Sequence, residues 1–182
     1  MIRKIGTILA IATFGFTTGA LAKENMQGAK AGVKPADAET VKLLMAINQN
    51  EINLANEAQK KQLSPSVGDY AKMISKEHSE NLTKTNEIAQ ANQITPKDSP
   101  RSRLLEGKGE KEVTKLSALE GPKFEAAFIQ AMIKGHTEAL SIIKARISVT
   151  GNDALKTHLT ETRDRIQSHL DQAKALKTTK GA

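Results

Sequence analysis

The sequence predicts an all-α fold: an up-down four-helix bundle with a short helical excursion between its second and third helices. Apolar residues recur every three or four positions in four long blocks, which is the period of a helix with one buried face. The chain has one tyrosine, four phenylalanines, no tryptophan and no cysteine, so its core must consist of aliphatic side chains, which suit helices better than sheets. Two of the three connections are only a few residues long, which predicts antiparallel helix pairs.

The helical blocks begin and end at recognisable signals. Ser64-Pro65 offers an N-cap followed by a proline in the first turn of the second block. Gly151-Asn152-Asp153 offers a glycine that ends the third block and a cap for the fourth. The predicted organisation is a lead-in at 23–35, a four-helix bundle domain at 36–177 and a tail at 178–182, with blocks that begin near 36, 64, 122 and 153.

The excursion occupies residues 94–121, between the second and third blocks. Ser99-Pro100 begins a short helix that is predicted to continue through Glu106. Gly107 and Gly109 are expected to interrupt it before a second short helical segment at about 111–119, because glycine weakens a helix interior.

The first 22 residues have the three parts of a signal peptide. Arg3 and Lys4 form a positive start, residues 5–16 are nearly all apolar or small, and an Ala-Leu-Ala cleavage site ends at Ala22. The apolar stretch is shorter than the ~20 residues of a membrane-spanning helix, so we expect cleavage near Ala22 rather than an uncleaved anchor. The mature chain is therefore predicted to be periplasmic or otherwise exported, without a transmembrane span.

Composition excludes several classes of function. The absence of cysteine excludes disulfides, thiolate metal sites and thiol nucleophiles. The sequence also has no glycine-rich phosphate loop, no Gly-x-Ser-x-Gly and no His-Glu-x-x-His, so no enzyme activity is assigned. The net charge of +7 suits an anionic lipid or cell-wall surface. Because aromatic residues do not interleave with basic ones, nucleic acid is not expected as a partner, and the oligomeric state is left open.

One potential metal ligand lies on the apolar stripe of each block. These residues are Glu51, His78, His136 and His169. Counted from the predicted turns, the first three lie at the same height along the bundle, and His169 is offset by three residues, roughly 4.5 Å at the helical rise. Two interpretations remain open: a divalent zinc, copper or iron ion bound by three imidazoles and a carboxylate, or a buried Glu–His hydrogen-bond network.

Two further polar residues lie beside these stripes. His158 is adjacent to Leu159, just off the apolar stripe of the fourth block, and is predicted to lie at the rim rather than to bind an ion. Glu77 precedes His78, and a neighbouring helical position points some 100° away. We therefore expect Glu77 to be an exposed helix charge rather than a partner of the histidines.

Four segments of the chain carry a family resemblance. They resemble the bacterial exported "predicted outer membrane protein" family, domain-of-unknown-function four-one-four-two, which is grouped with ferritin-like bundles, and the similarity covers about residues 38–176. The segments are NEINLANEA (50–58), VGDYAKMISKEHSEN (67–81), KLSALEGPKFEAAFIQAMIKGHTEAL (115–140) and IQSHLDQA (166–173). The resemblance implies a ferritin-like bundle, and all four stripe residues fall on matched positions.

The chain departs from the family pattern at several positions. Arg163-Asp164 stands where the family often has Leu-Pro, which predicts an unkinked last helix. Glu125 and Phe128 replace the family's aspartate and tyrosine. Di-iron ferritin-like enzymes carry Glu-x-x-His on each of two helices, and the chain has no such motif, so a di-iron oxidase is not expected.

These observations predict an exported helical bundle that binds one divalent metal ion for buffering, sensing or stress protection. The alternative is a non-metal structural or interaction bundle of the cell envelope, in which the Glu–His cluster is a polar core network. An oxidoreductase with an open coordination position would require that one of the four ligands be absent.

Overall fold

The computed structural model describes residues 34–180, which form five helices and no strand. The helices are α1 Pro35–Gln59, α2 Pro65–Ala91, α3 Pro100–Ser117, α4 Gly121–Val149 and α5 Asp153–Lys180. The prediction of an all-helical fold is confirmed. The number of helices differs from the prediction, because the excursion is a helix of 18 residues rather than two short pieces.

Local signals in the sequence fix where the helices begin. A proline lies in the first turn of α1, α2, α3 and α4, where its missing N–H costs nothing. Ser99 and Ser102 form a reciprocal capping box at the start of α3, since each hydroxyl accepts a hydrogen bond from the other residue's backbone N–H. The Asn152 side chain accepts from the backbone N–H of Leu155 at 2.9 Å and caps α5. The predicted starts of α2 and α3 are confirmed, although the Ser64 side chain makes no cap hydrogen bond to α2.

The expected interruption of α3 at Gly107 and Gly109 is wrong. Gly109 lies against α1 so closely that a Cβ atom there would clash with the Asn50 amide. The same amide donates a hydrogen bond to the Leu105 carbonyl at 2.8 Å. Contact with α1 therefore outweighs the helix cost of glycine, which is about 1 kcal/mol per residue.

The core consists of two apolar clusters with a polar layer between them. One cluster joins the first half of α1 to the end of α2, the second half of α4 and most of α5, and includes Leu44, Ile143 and Leu159. The other joins the end of α1 to the starts of α2 and α4, and includes Ile74 and Phe128. The start of α1 shares a cluster with the end of α2, so these two helices are antiparallel. The polar layer lies at the boundary between these two clusters.

The predicted signal peptide and all but the last two residues of the predicted lead-in lie outside the described residues. At the other end, α5 continues to Lys180, three residues beyond the predicted end of the bundle at 177. Within residues 34–180, no helix has both the length and the hydropathy of a membrane span.

Candidate metal centre

Three of the four predicted ligands meet in the polar layer. His78 comes from α2, His136 from α4 and His169 from α5, and their side chains are almost completely buried. One potential ligand atom from each residue lies within 4.8 Å of the other two. The ring centroids are 5.2–5.6 Å apart. Three helices that are distant in sequence therefore bring three imidazoles to one point.

One nitrogen of each imidazole contacts an oxygen that accepts hydrogen bonds. Nδ1 of His78 lies 2.9 Å from Oδ1 of Asn48, and Nδ1 of His136 lies 2.7 Å from the Met132 carbonyl oxygen. Nε2 of His169 lies 3.0 Å from Oε2 of Glu77. Because these oxygens accept, the contacting nitrogens carry the ring protons, and the other nitrogen of each neutral ring keeps its lone pair.

The remaining ring nitrogens have no hydrogen-bond partner within residues 34–180. They are Nε2 of His78, Nε2 of His136 and Nδ1 of His169, and each atom is buried. Buried polar atoms in proteins nearly always have a partner, so three such atoms in one place require an explanation. Metal-ligating histidines have this arrangement: one nitrogen donates to a carboxylate or a carbonyl and the other is free for the ion.

Imidazole nitrogens bind zinc at about 2.0–2.1 Å, which places ligands about 3.4 Å apart in a tetrahedral site. One potential ligand atom of each histidine lies within 4.8 Å of the other two, so binding would require each pair of ligand atoms to approach by no more than about 1.4 Å. An all-imidazole donor set suits zinc, copper or iron rather than calcium or magnesium.

Burial also favours the neutral form of two of these histidines, His78 and His169. It lowers the pKa of His78 well below its ordinary value, and the nearby His136, His169 and Arg165 lower this pKa further. Burial lowers the pKa of His169 as well, although its hydrogen bond to Glu77 acts in the opposite direction. Neutral rings retain the lone pairs that a metal ion needs.

Glu51 is buried beside the histidines but does not join their group. Its Oε1 lies 3.8 Å from Nδ1 of His136, the nitrogen that faces Met132, rather than from the free Nε2. Its Oε2 is buried and has no partner among the described residues. Burial raises the pKa of the Glu51 carboxyl, and the adjacent His136 partly offsets this shift. Gly135 leaves room for the carboxylate, since a Cβ atom there would lie 2.7 Å from Oε1.

A cavity of about 290 Å³ lies on the far side of Glu51, between α1, α3 and α4. Its walls are mainly apolar and include Ile47, Leu54 and Leu105. Lysine and glutamate side chains of α3 and α4 line the rest of the cavity, and Lys108 pairs with Glu138 at 2.9 Å. Glu51 therefore lies between the histidine group and an open space.

Glu77 was predicted to be an exposed helix charge, and this prediction is wrong. Its side chain is only 31% exposed, and its Oε2 lies 3.0 Å from Nε2 of His169 and 3.7 Å from Nε of Arg165. Glu77 does point about 100° away from His78, as predicted, but this direction faces α5 rather than solvent. The packing of α5 against α2 makes the difference.

His158 was expected at the rim and is instead buried, at 4% exposure. Its Nε2 lies 2.9 Å from the Thr85 hydroxyl oxygen, which itself donates to the Asn81 carbonyl. His158 is not part of the group formed by the other three histidines.

Sequence reasoning missed a buried hydrogen-bond network beside the histidines. Asn48 donates to Oδ1 of Asn81 at 2.9 Å, and Asn81 donates to the Thr162 hydroxyl at 2.8 Å. The signal was present in the spacing, because Asn48 precedes Glu51 by three positions and Asn81 follows His78 by three. Each therefore lies on the same helix face as a predicted ligand.

Comparisons with known proteins agree with the helical fold and the resemblance. The family described as "Domain of unknown function (DUF4142)" matches residues 22–176. A crystal structure of a DUF305 fragment from Deinococcus radiodurans is similar, with 16% identity, a TM-score of 0.72, and coverage of 81% of this chain and 98% of that one. A DUF305 protein from Streptomyces coelicolor, described as a candidate secreted protein, is also 16% identical, with a TM-score of 0.70 and coverage of 81% and 94%.

At 16% identity these structures establish similarity of fold alone. No curated protein matches the chain. The functional argument therefore depends on the residues of the site.

Proposed function

The chain belongs to the DUF4142 family of domains of unknown function, and from the geometry of its buried histidines we propose that it binds one divalent metal ion between its helices. The ligands are His78, His136 and His169. The observation that carries this proposal is the convergence of three buried imidazoles, each of which has one ring nitrogen held by an acceptor and one without a hydrogen-bond partner within residues 34–180. A bound ion would give all three lone pairs a partner at once.

Charge balance supports a role for two carboxylates. A divalent ion with three neutral imidazoles leaves two positive charges in a buried site, and such charges are costly unless anions compensate for them. Glu77 reaches the site through His169, and Glu51 lies beside His136. The two carboxylates would supply two negative charges to the ion's two positive charges, although Glu77 also faces Arg165 at 3.7 Å.

We also propose Glu51 as the fourth ligand. Its Oε2 is the buried carboxylate oxygen that lacks a partner within residues 34–180. To bind the ion, the carboxylate would have to turn from Nδ1 of His136 towards the free nitrogens. If the Glu51 carboxylate does not turn, the fourth coordination position stays open to water, as in catalytic zinc sites. Such an open position is what the oxidoreductase alternative requires.

The proposed setting is the periplasm or the cell exterior, with buffering, sensing or stress protection as the role. The predicted signal peptide supports export, and one similar structure is of a candidate secreted protein. In this proposal the ion lies within a ferritin-like bundle of the four long helices, α1, α2, α4 and α5. Contact of the basic surface with anionic lipid or cell wall stays a prediction.

Calorimetric titration of the chelator-treated protein with zinc, copper(II) or iron(II) tests the proposal. We expect one site per chain, and no binding to His136→Ala. His158→Ala is the matched control, because it also removes a buried histidine of the polar layer but not one of the group of three. Absence of binding, or equal binding by wild type and His136→Ala, would overturn the proposal in favour of a structural Glu–His network.

A further inference from the structure

The acceptor of His78 is a neutral side chain on a different helix. Asn48 of α1 is 1% exposed, and its Oδ1 lies 2.9 Å from Nδ1 of His78 on α2. The acceptors of the other two ligands differ in kind. His136 uses a carbonyl of its own helix, and His169 uses the carboxylate of Glu77. His78 is thus the ligand whose protonation pattern depends on the orientation of a side-chain amide.

The backbone of α1 fixes that orientation. Nδ2 of Asn48 donates to the Leu44 carbonyl oxygen at 2.9 Å and to Oδ1 of Asn81 at 2.9 Å. A flipped amide would place its oxygen against the Leu44 carbonyl, and a carbonyl cannot donate. The Asn81 amide could flip together with Asn48, but the Leu44 carbonyl has no alternative state. Oδ1 of Asn48 must therefore face His78.

An amide oxygen only accepts hydrogen bonds, so Nδ1 of His78 must carry the proton. A neutral imidazole has one ring proton, so Nε2 of His78 is left with its lone pair. This is the atom that lies buried without a partner among the described residues. We infer that Asn48 is a positioning residue, which fixes the tautomer of His78 so that Nε2 faces the ion. The inference rests on the proposed function of the three histidines.

The tautomer itself can be measured without any metal. In the metal-free protein labelled with ¹⁵N on histidine, NMR correlations should show the proton of His78 on Nδ1. A proton on Nε2, or an even mixture of the two forms, would overturn the inference even if no Asn48 variant folds.

Asn48→Leu removes the acceptor while keeping a side chain of similar size. We expect His78 to lose its preference for the Nδ1–H tautomer and zinc affinity to fall by about 10- to 100-fold, the usual effect of losing a partner of a metal ligand. Asn81→Leu is the matched control. It breaks the same network one step further from the ion, yet the Leu44 carbonyl still orients Asn48, so the tautomer of His78 should be retained.

The outcomes separate this inference from the proposed function. If the wild-type protein binds zinc and Asn48→Leu binds it equally well, the positioning role is wrong and the metal site stands. If His78 carries its proton on Nδ1 but wild type binds no zinc, copper or iron, the metal site is wrong and only the tautomer assignment survives.

Discussion

The polar layer contains two regions, which differ in whether their buried polar atoms have hydrogen-bond partners. One region is a hydrogen-bond network in which each donor described above has an acceptor. Its members are Asn48, Asn81, Thr162 and Thr85. In the other region, three ring nitrogens and one oxygen of Glu51 are equally buried but have no partner among the described residues. Burial alone therefore does not mark the site.

The difference indicates separate roles for the two regions. A satisfied network contributes modestly to stability and fixes the positions of its members, whereas unpartnered polar atoms cost free energy of folding. Three convergent imidazoles with unpartnered nitrogens lower the stability of the metal-free protein. We expect this of a metal site that has not yet bound its ion. The comparison leads to four predictions, of which the first would have the largest effect.

Metal loading should stabilise the protein strongly. At a free ion concentration of 1,000 times Kd, the free energy of unfolding should rise by about 4 kcal/mol, because the ion binds the folded chain alone. Urea denaturation with and without zinc, and again after addition of a chelator, measures this. Identical curves under all three conditions would mean that the unpartnered nitrogens do not serve an ion.

Breaking the satisfied region should destabilise the metal-free protein. Asn81→Leu removes one of the two acceptors of Nδ2 of Asn48 and the donor to the Thr162 hydroxyl, at a cost of about 1–3 kcal/mol. Denaturation of the metal-free variant measures the loss, and zinc should still bind. Asn53→Leu on the exposed face of α1 is a control that should leave stability nearly unchanged.

Glu77→Gln should weaken zinc binding by about tenfold, or ~1.4 kcal/mol. The amide still offers an oxygen to His169, but it removes one of the two negative charges that would balance the ion. Glu80→Gln is the matched control, since Glu80 is exposed and contacts Arg165 at 3.7 Å, with no histidine partner within residues 34–180. Equal losses in the two variants would indicate a general surface-charge effect instead.

The smallest effect on the metal-free protein should come from the unpartnered region. His136→Leu removes an imidazole whose Nε2 has no partner within residues 34–180. Relief of this unpaired atom should offset the lost Nδ1 hydrogen bond to the Met132 carbonyl, so we expect the metal-free stability to change by less than about 1 kcal/mol. Zinc binding should be lost at the same time. A loss of stability as large as that of Asn81→Leu would show that His136 is a structural contact.

The helices and the meeting of the histidines were accessible from the sequence because helical period fixes which residues share a face. The height argument placed His78 and His136 together, and His169 joined them despite its offset of three residues. Period does not specify how a neighbouring helix packs or which rotamer a side chain adopts. For this reason the contact between Glu77 and His169 and the position of Glu51 at Nδ1 of His136 appeared only in the structure.

For a related reason, the sequence did not predict that α3 is one continuous helix. Glycine at 107 and 109 lowers intrinsic helix propensity, but the close approach of α1 at Gly109 is a tertiary contact that no local rule contains. The network of Asn48 and Asn81 lies beside the apolar stripes predicted for the first two blocks rather than on them, so those stripes did not include it.

Elemental analysis by mass spectrometry tests the central claim most directly. The protein should be exported by its native host and purified without chelator or affinity tag, alongside His136→Leu and His158→Ala. We predict close to one zinc, copper or iron ion per chain in wild type and in His158→Ala, and none in His136→Leu. A wild-type protein that contains no metal and takes up none on titration would contradict the account.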